Sequence, residues 1–249
     1  MKHRIHIIIC LCIALQLQTK SQSVKDSTVR ILMIGIHAGG QLPQFDLAKR
    51  FGANISTGAS FIWKTKHNVL FTAEGSYFFG RNVKENILSQ MQNDNGSITD
   101  NEGYPADLRV TERGWNIYGN VGYLFSKLGN NPNSGLFVTV GLGWMQHKIK
   151  LYDANQKIAA VNGDLKKGYD RLSGGIGFSQ FIGYKYISNN RLANFYAGFE
   201  FYEATTQSFR GFNYDTGLPD TQKRFDMLTG IRFGWILPLY KRVKDFYYY

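Results

Sequence analysis

From Arg30 onward, apolar side chains recur at every second position in eight separate stretches, the period of a β-strand whose alternate side chains face opposite sides of a sheet. The first is 31–42, with Leu32, Ile34, Ile36 and Ala38 on its apolar face. Then come 52–63 (Ala53, Ile55, Ala59, Phe61, Trp63), 69–80 (Phe71, Ala73, Tyr77, Phe79) and 114–126 (Trp115, Ile117, Val121, Tyr123, Phe125). The fifth, 136–144, reads LFVTVGLGW, with Leu136, Val138, Val140, Leu142 and Trp144 on one face and mostly small residues on the other. The last three are 171–186 (Leu172, Ile176, Phe178, Ile182, Tyr184), 193–204 (Phe195, Ala197, Phe199, Phe201) and 225–239 (Ile231, Phe233, Trp235, Leu237). Most reach the ~9–11 residues that a tilted strand needs to cross a bilayer.

The connections carry a second pattern. Those after the odd-numbered strands are long (43–51, 83–112, 150–168, 205–222), and those after the even-numbered strands are short (64–68, 127–134, 188–192). A soluble sandwich has no reason to segregate loop length this way, whereas a membrane barrel has short turns on one side and long loops on the other. Closing an even number of strands also removes free sheet edges. The pattern therefore predicts an all-β fold, an eight-stranded antiparallel up-and-down transmembrane β-barrel with both N- and C-termini periplasmic. Aromatics on the apolar face gather toward both ends of the strands, as amphipathic rings at two lipid interfaces do. The interface set is Trp63, Phe71, Trp115, Phe125, Trp144, Tyr184 and Trp235.

Composition then adds the compartment. The chain begins MKHRIHIIICLCIALQLQTKSQS, a basic start, a short apolar run and a polar, small-residue end: a secretory signal peptide over residues 1–22, too short to span a membrane as a helix. Both cysteines, Cys10 and Cys12, lie inside it, so a mature chain cut near Gln22 has no thiol and no disulfide. Cleavage removes Lys2, Arg4 and Lys20 but no acidic residue, taking the net charge from +11 to +8. A basic exported protein is most simply one that meets anionic lipid or polysaccharide rather than nucleic acid. The mean hydropathy of -0.27 is what alternating strands produce and does not speak against a barrel.

With these features the chain resembles the small eight-stranded outer-membrane barrels of Gram-negative bacteria, the OmpX and OmpA-barrel type. The resemblance covers nearly the whole mature chain, residues 23–240, and rests on pattern and topology. It implies residence in the bacterial outer membrane. Such barrels end on an aromatic residue closing the last strand. Here Pro238, which cannot donate to a ladder, stands near the strand end, and 241–249 reads as a basic, aromatic periplasmic tail.

On the inward face, small residues alternate with charges. Glu74 and Glu200 are expected to pair with Arg171 and Arg232, with Lys185 helping to fill the lumen, because isolated buried charges cost several kcal/mol. An interior of eight strands is just wide enough to be packed by side chains, which favours a closed polar core over a gated ion path. His37 is expected in the lumen, His67 in a turn and His147 at a strand end. None has the flanking serine or acid of a lipid-modifying barrel enzyme, and with no cysteine no catalytic site, transition-metal site or cofactor is expected. The turn NDNGSITDNEG (93–103) does not follow EF-hand spacing and reads as a solvated polar loop; 83–92 is expected to form a short helix with Val83, Ile87 and Met91 on one stripe.

Two clusters remain as partner surfaces. Lys148, Lys150, Lys157, Lys166 and Lys167 offer point charges for lipopolysaccharide phosphates, against a reading as a solvated face. The tail, with Lys241, Arg242, Lys244, Phe246, Tyr247, Tyr248 and Tyr249, suits either an inner-leaflet anchor or a dock for other outer-membrane or periplasmic proteins. The functional expectation is a non-enzymatic outer-membrane barrel acting as a structural or accessory subunit of a larger assembly for secretion or barrel insertion. The rivals are a stand-alone adhesin or ligand-binding barrel, a lipid-modifying enzyme and a soluble exported sandwich.

Overall fold

The computed structural model describes residues 27–93, 95–106, 108–153, 158, 161–188 and 192–239. The signal peptide, Lys157 and the tail residues Lys241, Arg242, Lys244 and Phe246 to Tyr249 lie outside the described residues.

Every predicted alternating stretch forms a strand. They are β1 (Ile31–Gln44), β2 (Asn54–Lys64), β3 (Val69–Gly80), β4 (Leu108–Phe125), β5 (Gly135–Asp153), β6 (Ser173–Tyr186), β7 (Phe195–Ser208) and β10 (Lys223–Pro238). The sheet is a closed antiparallel ring in the order β1-β10-β7-β6-β5-β4-β3-β2. The seam runs from Met33 opposite Pro238 to Gln44 opposite Met227, so Pro238 occupies the last rung of the ladder, where its missing N–H costs least. A small hairpin, β8 (Gly211–Asn213) and β9 (Leu218–Asp220), decorates the connection between β7 and β10.

Three local differences separate the fold from the sequence reading. Strands β4 and β5 run past their expected ends, pairing Leu108 with Asp153 and Arg113 with Lys148. Beyond Trp115 and Trp144 the alternation persists but inverts: Val110, Ile149 and Leu151 point inward while Lys148 and Lys150 are exposed. The expected helix over 83–92 shrinks to one 3₁₀ turn, Ser89–Met91, because Val83 is drawn into a bridge with Phe51 and Ile87 is buried beneath the mouth. The short helix α1 (Phe45–Arg50) was not expected. It follows β1 and turns Leu47 fully inward.

The interior is layered. At the short-turn end Ile31, Met33, Leu70, Leu124, Phe137 and Phe181 form one apolar cluster. At the long-loop end Leu47, Phe51, Phe78, Ile87, Met145 and Leu228 form another. Glycine makes this filling possible by close approach. A Cβ on Gly143 would stand 2.6 Å from the Tyr118 ring and 2.0 Å from the Ile117 carbonyl, so the tyrosine lies across bare backbone. The exterior is the reverse. Ile36 (58% exposed), Ile117 (58%), Leu142 (67%), Ile176 (69%), Phe199 (57%) and Ile231 (62%) project from the barrel wall, each more than half exposed. The LFVTVGLGW stretch follows this division, with Val140 and Leu142 exposed and Phe137 and Thr139 buried.

Candidate functional site

Two charge networks lie at different levels of the barrel. Midway along the lumen, Arg232 of β10 lies between two carboxylates. Its Nη1 donates to Glu74 Oε2 at 2.7 Å, and its Nε lies 2.8 Å from Glu200 Oε2 as an ion-pair contact. Tyr202 donates its hydroxyl proton to Glu74 at 3.1 Å, and Gln41 donates to Glu200 at 2.6 Å. The guanidinium also sits over the Phe181 ring, 4.6 Å from its centroid. All three charged groups are buried, and inward-facing positions on β3, β7 and β10 bring them together. Buried charges tolerate this only when each is paired and hydrogen-bonded.

Two residues expected in that network stand elsewhere. Lys185 is buried nearer the short-turn end, with Nζ 4.5 Å from the Phe137 ring centroid and, among the described residues, no carboxylate within ion-pair distance. Arg171 precedes β6 and stays at the mouth, where Nε binds Glu85 at 2.7 Å and Nη2 binds Asp215 at 2.6 Å. The misplacement comes from β6 starting at Ser173, which leaves Arg171 outside the alternation that assigned it inward.

That mouth is the second level. Arg50, at the end of α1, binds Glu85 at 3.0 Å and donates to the Arg171 carbonyl at 3.2 Å. Arg210 binds Asp170 at 2.6 Å. Arg50, Glu85, Arg171 and Asp215 come from the four long connections, so one network ties all four loops over the barrel. Burial alone would push the Glu85 carboxyl up, but the Arg50 and Arg171 guanidiniums outweigh it and hold it below the ordinary carboxylate range. Arg171 has φ +49°, a left-handed conformation that costs a residue with a Cβ on the order of 1–3 kcal/mol. Its two ion pairs and the bond from Arg50 to its carbonyl hold it there. Sequence reading missed Arg50, Glu85 and Asp215, since loop residues carry no periodic signal.

The histidines divide. His37 is in the lumen, Nε2 2.8 Å from Ser76 Oγ, and His67 is exposed in a turn. His147, expected at a strand end, is fully buried within β5. Its Nε2 lies 2.8 Å from Asp226 Oδ2, with Phe51 edge-on to its ring. Thr206 also donates to Asp226. In the 93–103 turn, Asp100 accepts the backbone N–H groups of Glu102 and Tyr104. Among the described residues no cluster of three or more His, Cys, Asp or Glu is arranged to hold a metal ion.

The interface aromatics lie on the outer surface. Trp63 stacks on Phe71 (5.4 Å), and Trp63, Phe71, Phe125 and Tyr184 are exposed toward the short-turn end, where Trp235 also lies, donating Nε1–H to the Leu192 carbonyl at 2.7 Å. Trp115 and Trp144 lie toward the long-loop end, Trp144 stacked on Phe209 at 6.2 Å. Of the basic group, Lys148 and Lys150 are exposed on the outer extension of β5. Lys166 and Lys167 lie on a 3₁₀ turn, Leu165–Gly168, where Lys167 pairs with Asp164 at 2.6 Å.

No protein-family model and no curated protein matches the chain. Among solved structures it is similar to Ail, the attachment invasion locus protein of Yersinia pestis, crystallised with the heparin analogue sucrose octasulfate. That likeness has 6% identity over 84% of this chain and 99% of that one, with a TM-score of 0.45. It is also similar to Neisserial surface protein A (11% identity, 83% and 96% covered, TM-score 0.44). A third likeness is to the outer membrane protein OprG from Pseudomonas aeruginosa (13%, 88% and 99%, TM-score 0.39).

Proposed function

We propose that this chain is an integral barrel of the bacterial outer membrane, sealed and non-enzymatic, serving as a structural or accessory subunit of a larger outer-membrane assembly. The observation that carries the membrane reading is the inversion of the usual solubility rule: isoleucine, leucine and phenylalanine cover the outside while arginine and glutamate pair inside. A lumen filled by two apolar clusters with a layer of paired charges between them suits a scaffold better than a conduit. Beyond the barrel wall, Phe212, Tyr214, Leu218 and Leu165 are exposed on the long loops. Exposed apolar side chains on the loops are consistent with a surface for another macromolecule. His147 and Asp226, the pair nearest in kind to a hydrolase site, are sealed under Phe51 and reach neither lipid nor solvent.

The test is extraction of the native membrane in mild detergent with a tag on a long loop. Stoichiometric co-purification of defined membrane or periplasmic proteins is the expected result. Migration as a lone barrel refutes the subunit role and moves attention to the same loops as an adhesive surface. Planar-bilayer recordings should show no porin-like conductance, and release from membranes by carbonate would overturn the barrel reading altogether.

A further inference from the structure

The outer wall carries an open, shallow furrow of about 650 Å³, crossing β2 to β6 and lined almost wholly by apolar atoms. Phe61, Trp63 and Phe71 form one bank and Leu142 and Phe178 the other, with Ala73 and Gly119 as the floor. Gly119 is outward-facing and exposed, and a Cβ there would meet nothing within 4 Å. A glycine inside a strand weakens it, and it is commonly found where a ligand or another backbone comes close.

Charge tells what approaches. One end of the furrow lies at Trp63, beside the short-turn rim, and the Arg30 guanidinium sits 6.0 Å from the centre of its ring. Lys66 and His67 follow in the β2–β3 turn, and Lys127 stands in the β4–β5 turn, all exposed. Among the described residues before β1, in the short turns and after β10, there is no aspartate or glutamate. All acidic side chains described are in the lumen, on the strands or at the long-loop end. Among the described residues the rim beside the furrow therefore carries basic side chains and no acidic one, which suits phosphate in an anionic leaflet. The dimensions agree as well. Four strand spacings of about 4.8 Å make a path of roughly 19 Å, and strand tilt turns it obliquely to the barrel axis. One leaflet of hydrocarbon is about 15 Å deep.

We propose that this furrow binds one anionic phospholipid, with an acyl chain over Ala73 and Gly119 and the headgroup phosphate at Arg30. The site rests on the membrane reading above and adds to it a defined lipid position on an otherwise unselective wall. The apolar banks hold the chain, and the basic rim selects the headgroup.

The test uses the full mature chain, folded in neutral detergent, with phosphatidylglycerol or phosphatidylcholine added and bound lipid counted by native mass spectrometry. The wild-type protein should retain one phosphatidylglycerol. Gly119→Leu and Ala73→Leu, which raise the floor, should each reduce that retention at least tenfold. Gly40→Leu, at another outward glycine with open space around it, should leave retention unchanged. Arg30→Gln should remove the preference over phosphatidylcholine while a lipid still binds. Retention unaffected by either floor variant, or equal retention of both lipids by the wild type, overturns the site. So does a dimer mass that Gly119→Leu abolishes, since a second copy would then occupy the furrow. The shift between heated and unheated gel migration reports folding separately. A folded barrel that holds no lipid fails this site alone, whereas a chain that never folds in detergent fails the membrane reading.

Discussion

Arg232 is the residue on which the interior depends most directly. It is the ion-pair partner of both Glu74 and Glu200, so removing it leaves two carboxylates buried together. Breaking a buried pair from one side costs about 3–5 kcal/mol, much more than the pair contributes relative to an apolar replacement. Arg232→Met should therefore lose that much stability in urea titrations of the barrel folded into vesicles. Adding Glu74→Gln and Glu200→Gln should recover most of it. At the opposite extreme of size, Gly143→Val places a side chain against the Ile117 carbonyl and the Tyr118 ring. Overpacking of this kind costs about 1–3 kcal/mol, and the same titration reads it. Both residues stand at inward positions that alternation alone identifies. That Arg232 meets both glutamates while Lys185 meets neither is not a local property. It depends on how far round and along the barrel each position falls.

Helix α1 and the tied loops act at the scale of elements. Leu47 and Phe51 are carried into the mouth by α1, where they meet Phe78 and Leu228. Truncation of a buried leucine costs about 2–5 kcal/mol, so Leu47→Ala should lower stability by that order. Any conductance that such a variant gained in planar bilayers would show that α1 forms the plug. The loop network has a pH dependence of known sign. Glu85 is held below its ordinary value by Arg50 and Arg171, so its stabilisation is complete above an unfolded value of about 4.3. That contribution is lost as the pH falls through the folded value. Hydrogen exchange of the 83–92 and 165–172 amides, corrected for intrinsic rate, should accelerate relative to the strands between pH 6 and pH 3.5. In Glu85→Gln the protection should already be reduced at pH 6. Neither element was legible beforehand. Six residues of helix following a strand give too short a pattern to recognise, and Glu85 and Asp215 lie where no period operates.

For the whole molecule the question is which side faces lipid. Ile231 projects from β10 at 62% exposure. An arginine in its place should cost about 2–4 kcal/mol if that surface lies near the bilayer midplane. Folding yield and stability of Ile231→Arg in vesicles measure this, and no loss would place the surface in water.

Eight strands, the face each turns outward, and the division between short turns and long loops are all legible in the residue pattern. These follow from a two-residue period that the backbone imposes wherever one side must be apolar. Its reach ended where the outward face left the apolar band: at the inverted ends of β4 and β5, at Arg171 just outside β6, and throughout the loops. That Arg232 joins Glu74 to Glu200, that Arg171 gathers four loops, and that α1 packs into the mouth emerges only from the folded barrel. The Arg232–Glu74 contact alone joins residues 158 positions apart, and such geometry exists only once the ring has closed.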